Sequence, residues 1–171
     1  MIRKILSIVM LALTVVWMIF IFSNSADTAQ ESTDKSQTVT EIVNEVIEAV
    51  GGEEITEKEV RKSAHFFEYA VLCALLCCDV YLLFYTPKYI KSPGVLLGVC
   101  ACVIAGCALI AIIDEMIIQK SSHGRGPDIA DVALDTSGAV LAYVLFCIAF
   151  VLSVLIKKYK QKKCDSNGRV R

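Results

Sequence analysis

Residues 95–118 read VLLGVCACVIAGCALIAIIDEMII, and no charge interrupts them between Val95 and Ile113. A helix rises 1.5 Å per residue, so about 20 apolar residues cross a hydrocarbon core of roughly 30 Å. This block is long enough, and three others of the same kind stand in the chain: Ile5–Phe22, Phe66–Phe84 and Ile129–Ile156. Backbone amides in lipid must be satisfied within their own segment, so each block is expected to be a helix. The fold class that follows is all-α: an integral membrane bundle of four transmembrane helices in a single domain over residues 1–164, with spans at about 5–22, 66–85, 95–118 and 129–156. The first block has Arg3 and Lys4 before it, but its run of about 18 apolar residues exceeds the ~7–15 of a signal peptide, so it reads as a retained helix. The apolar blocks dominate a chain of 171 residues that is 56% hydrophobic, with a mean hydropathy of +0.60.

Charge sets the orientation. Four spans put both termini on one side, and with the loop between blocks two and three that side carries eleven of the seventeen Lys and Arg residues, five of them at Lys157, Lys158, Lys160, Lys162 and Lys163. Basic residues favour the cytoplasmic side. The reading is a multi-pass protein of a cell membrane with cytoplasmic N- and C-termini, a basic cytoplasmic tail over 157–171, and an extracellular loop over 23–64. Within that loop Val39, Ile42, Val43, Val46, Ile47 and Val50 step at helical spacing with Glu41, Glu45 and Glu48 off the stripe, which predicts an amphipathic helix on the outer surface or capping the bundle. Gly51-Gly52 ends it, and Thr56 with Glu59 forms a capping box for a helix running into block two.

Seven of the eight cysteines lie inside apolar blocks and Cys164 lies in the basic tail. A disulfide framework would place them in aqueous loops, so they read as small packing residues. Gly94, Gly98, Cys102 and Gly106 recur every four residues on block three, and Gly138 with Ala142 offers a similar face on block four. In lipid such stripes let helices approach closely, either within a monomer or in a homo-oligomer.

The informative residues are the polar ones at the edges of the spans. Arg61, His65 and Glu68 share one helical face at the start of block two, with Tyr69 beside them. Asp114, Glu115 and Gln119 end block three; His123 and Arg125 lie in the loop that follows; Asp128, Asp131 and Asp135 start block four. Alternating span direction brings all of these to the outer face. An ionisable group within a span costs about 2.5–3.5 kcal/mol, so these are expected to face the bundle interior or a wet cavity. The excess of acids calls for protonation, access to water or a bound divalent cation, for which oxygen ligands favour magnesium or manganese. Simpler roles compete: Asp128 and Asp131 suit a helix start, His65 and Glu68 suit an internal hydrogen bond, and Arg125 suits an ion pair fixing the turn. The outer-face cluster taken forward is His65, Glu68, Tyr69, Asp114, Glu115, Gln119, Arg125, Asp131 and Asp135. No phosphate-cradling glycine loop, nucleophile elbow or nucleic-acid surface is present in the sequence.

The same residues carry a resemblance. KSAHFFEYAVL, from Lys62, is similar to the K-x-x-H-x-x-E-Y segment of the VanZ-like family. DEMIIQ followed by Arg125, Asp131, Asp135 and Gly138 resembles its D-E-x-x-Q, R and D-x-x-x-[DN]-x-x-G segments. Phe22-Ser23-Asn24-Ser25 with Ser32 resembles its serine-containing segment after the first helix. One departure is Ser121, where the family often has an aromatic. The resemblance implies a small bacterial membrane protein, and the family's namesake is associated with low-level resistance to teicoplanin. Three readings follow: a protein binding a lipid-like or lipoglycopeptide ligand at an outer-face pocket, a membrane-embedded enzyme acting on a lipid or lipid-linked cell-wall precursor, or a structural or assembly protein. Membrane lipids are the expected surroundings in each, and no cofactor is evident in the sequence.

Overall fold

A computed structural model describes residues 2–86, 89–121 and 128–168. All regular structure among them is helical: α1 (Ile2–Ser25), α2 (Ala29–Ala49), α3 (Glu57–Phe84), α4 (Pro93–Ile113), which continues as a π-helical segment (Asp114–Gln119), and α5 (Ile129–Gly168). Four of these stretches are long and apolar enough to cross a membrane: Ile2–Ser25, Glu57–Phe84, Pro93–Gln119 and Ile129–Cys164. The expected spans are therefore present. Each is extended by polar turns, and the basic tail continues α5 as helix.

α3 is the hub. It packs most extensively on α5 and also on α1, α4 and α2, while α1 reaches the π-helical segment. The interior is built from small and medium side chains, with Leu72, Cys73, Cys77, Leu96, Cys100, Cys107, Ala111 and Ala139 fully buried. All eight cysteines are free, and four of them serve as this filling; Cys102 and Cys164 are exposed. Large apolar residues such as Ile8, Val16 and Ile19 of α1 and Leu145, Ile148 and Leu152 of α5 face outward, the reverse of a soluble protein and the arrangement lipid requires.

Close approach is used in one place and not in another. A Cβ at Gly138 would overlap the carbonyl oxygen of Phe66, so α5 meets the α3 backbone there. A Cβ at Gly98 or Gly106 would meet nothing within 4 Å, so the α4 stripe admits no neighbour among the described residues. Polar pins supplement the packing. Arg3 donates to the carbonyls of Tyr81, Leu82 and Tyr85, covering the end of α3, where helix carbonyls run short of intrahelical partners. Deep in the bundle, Thr14 donates to Asp79 at 2.7 Å.

The helix of the first loop begins ten residues before its apolar stripe. Thr28 and Glu31 form a capping box that starts it, as Thr56 and Glu59 do for α3. Ser32 and Ser36 are buried on its inner side, Val43 and Ile47 are half-buried, and Val39, Ile42, Val46 and Val50 remain exposed. The apolar stripe is thus split between docking and exposure. Gly51, at φ +75°, supplies the left-handed turn that ends α2, and Asn44 holds the return by bonding both backbone groups of Ile55.

Candidate functional site

At the end of the bundle that carries α2, three short polar stretches converge because α3 and α5 start there and α4 finishes there. α3 presents Lys62, His65, Glu68 and Tyr69 over two turns. His65 Nδ1 lies 3.5 Å from Glu68 Oε2, while Asn24 of α1 donates to Glu68 Oε1 at 2.9 Å. Trp17 donates to the Glu68 backbone carbonyl at 2.9 Å, so α1 grips the same residue at main chain and side chain. Tyr69 is fully buried, and its hydroxyl has no hydrogen-bond partner among the described residues.

The π-helical segment supplies the second group. Asp114 and Glu115 are 0% and 1% exposed, which is extreme for carboxylates and makes their partners decisive. Ser25 donates to Asp114 Oδ2 at 2.7 Å, joining the end of α1 to the end of α4. Glu115 accepts from Gln119 Nε2 through one oxygen and from the backbone N–H of Asp128 through the other, at 2.7 Å for the latter. It therefore covers an orphan donor at the start of α5. Asp135 of α5 is 1% exposed. Asp131, one turn earlier, is half-buried and pairs with Lys62 of α3 at 2.5 Å.

Eight of the nine cluster residues read from the sequence are thus placed at one end of the bundle, in two layers. His65 and Glu68 line a pocket; Tyr69, Asp114, Glu115, Gln119 and Asp135 are buried, and Asp131 forms an interhelical ion pair. Arg125, and His123 with it, lies outside the described residues. The pocket has a volume of about 270 Å³ beneath α2, with Phe20, Val39 and Val60 as apolar wall and Asn24, Ser32, Ser36, Arg61, His65 and Glu68 among its polar lining. Its cations are accompanied by acids: Lys35 pairs with Asp27 at 2.7 Å and Arg61 with Glu57 at 3.5 Å. Among the described residues, no group of three or more His, Cys, Asp and Glu side chains is arranged to hold a metal ion.

A sequence model of the VanZ/LLP1 family matches residues 10–152, from within α1 to near the end of the α5 span. The chain belongs to that family. No curated protein and no solved structure matches it. In this VanZ/LLP1 chain, three residues separate Glu115 from Gln119, and all of them lie in the π-helical segment. Across that segment the two side chains still meet, Gln119 donating to Glu115.

Sequence reasoning missed two sets of contacts. Asn24 and Ser25 stand in the serine-containing segment that resembles the family but were not placed in the cluster, yet they hold Glu68 and Asp114. Asp79, 4% exposed, stands alone in an apolar block five residues before the end of α3, away from the α2 end. An acid within a span was itself the signal, and Thr14 on α1 is the donor that answers it.

Proposed function

We propose that this VanZ/LLP1 protein works in a bacterial cell membrane, with its α2 end outside, and binds a lipid-like or lipoglycopeptide ligand in the pocket beneath α2. In doing so it contributes to resistance against teicoplanin-type glycopeptides. The observation that carries the reading is the composition of the pocket. His65 and Glu68, from the segment that resembles the family, meet serines of α2 and the apolar face of Phe20, Val39 and Val60 in one cavity. Because the cations there are matched by acids, the lining favours a headgroup rich in hydroxyls and amides over a bare anion, with an acyl chain along the apolar wall.

The test is susceptibility of a sensitive Gram-positive host expressing the chain, compared with His65→Ala and Asp131→Asn at matched membrane abundance. A teicoplanin shift without a vancomycin shift, abolished by His65→Ala, is expected. Full protein in the membrane with no shift for either drug overturns the resistance reading. Asp131 pairs with Lys62 across α3 and α5, so Asp131→Asn is expected to lower abundance before it lowers phenotype.

A second reading, a membrane-embedded enzyme acting on a lipid or lipid-linked precursor, draws on the carboxyl groups at and behind the pocket. Glu68, Asp114 and Asp135 are all at least nine-tenths buried around Tyr69, an arrangement suited to proton transfer. A phenotype abolished by a chelator and restored by magnesium or manganese would favour it. A phenotype indifferent to chelation, with binding of intact ligand, favours the first.

A further inference from the structure

At the opposite end of the bundle, where α1 begins and α3 finishes, a cleft of about 590 Å³ opens between those two helices. Arg3, Lys4 and Thr86 form its polar rim, and Ile8, Leu82 and Leu83 its walls. A second hollow of about 290 Å³ adjoins it through Thr86 and adds Tyr85, Ile90 and Lys91. Among the described residues, no acidic side chain lines either hollow. The contrast with the α2 end is direct: the cations of the pocket there are paired with acids, whereas here the described lining is basic and neutral.

Four further observations define what would fit. The Arg3 guanidinium is held by the carbonyls of Tyr81 and Leu82 in α3 and of Tyr85 just beyond it, which fixes its charge at the cleft. The Thr86 hydroxyl is buried without a hydrogen-bond partner among the described residues. Tyr89 and Tyr159 are exposed near this end, and amphipathic aromatics of that kind sit at headgroup level. The cleft walls run into lipid-facing surface, where Ile8 is 69% and Leu83 40% exposed.

We propose that this cleft binds the headgroup of an anionic phospholipid. Its phosphate meets Arg3 and Lys4 with Lys91 adjacent, and one acyl chain lies along Ile8 and Leu83. The basic stretch of α5 from Lys157 to Lys163, at the same end of the bundle, draws anionic lipid to the surface in general, but the cleft retains a molecule.

Native mass spectrometry of the full chain, released from detergent with phosphatidylglycerol or phosphatidylcholine, tests this. One phosphatidylglycerol is expected to remain bound under conditions that strip phosphatidylcholine. Lys4→Gln/Lys91→Gln, which leaves the Arg3 cap in place, is expected to lower that occupancy about tenfold. Replacing the five lysines of 157–163 by glutamine is expected to leave it. Equal retention of both lipids, unchanged retention in the double variant, or loss only in the tail variant overturns the site. Displacement by millimolar inorganic phosphate would show that the rim reads phosphate alone, and overturns the lipid assignment.

Discussion

At the scale of single residues, glycines that look alike in sequence make opposite demands on two helices. Gly138 faces the Phe66 carbonyl, so Gly138→Ala must push α5 away from α3; overpacking of this kind costs about 1–3 kcal/mol. Gly98→Ala and Gly106→Ala meet open space and gain helix propensity, so they should be neutral or slightly stabilising. Unfolding of the purified protein in mixed detergent micelles checks both, and equal effects at the two helices would refute the close approach at Gly138. Thr14→Val deletes the donor to Asp79 and should cost about 0.5–2 kcal/mol in the same assay, whereas Thr14→Ser keeps the hydroxyl and should cost less. His65, Glu68 and Tyr69 could be read as neighbours because helical spacing alone places them together. Asn24 and Asp79 could not be assigned, because their partners are 44 and 65 residues away in sequence and only tertiary packing pairs them.

At the scale of elements, hydropathy located the four spans because lipid imposes one length and one polarity on each. It could not locate the start of α2, which is set by Thr28 and Glu31 and by a docked face made of serines rather than by apolar spacing. Nor could it foresee the π-helical segment, since an extra residue in a helix leaves no compositional mark. The α2 cap gives a pH test. The Thr28 backbone N–H, and then its hydroxyl, hold the Glu31 carboxyl below its ordinary value. A depressed folded-state value means that the cap contributes above the unfolded value and is lost as pH falls through the folded one. Amide exchange in the first turn of α2 should therefore accelerate, relative to the intrinsic rate, as pH drops below the ordinary carboxylate range. Glu31→Gln should remove that dependence; a pH profile identical to wild type would show that Glu31 does not control the cap.

At the scale of the whole molecule, the charge asymmetry and the pocket make one linked claim, because the proposed ligand is extracellular only if the α2 end is outside. Helix packing cannot decide this, as the bundle is the same whichever way it is inserted; the excess of Lys and Arg at the end bearing both termini predicts a cytoplasmic side there, and labelling tests it. The chain carries its own probe. Cys164 is exposed beyond the apolar part of α5, whereas the other seven cysteines lie within the spans, where a water-borne reagent reaches them poorly. A membrane-impermeant maleimide should leave Cys164 unlabelled in intact cells and label it after permeabilisation. Glu45 is exposed on α2, and a Glu45→Cys variant should label in intact cells. The reverse pattern would put the His65 pocket on the cytoplasmic side, where an extracellular glycopeptide does not reach, while leaving the fold and family unchanged. It would also move the basic cleft outside, yet the lipid test there would stand, because phosphatidylglycerol retention is measured on the released protein and does not depend on orientation.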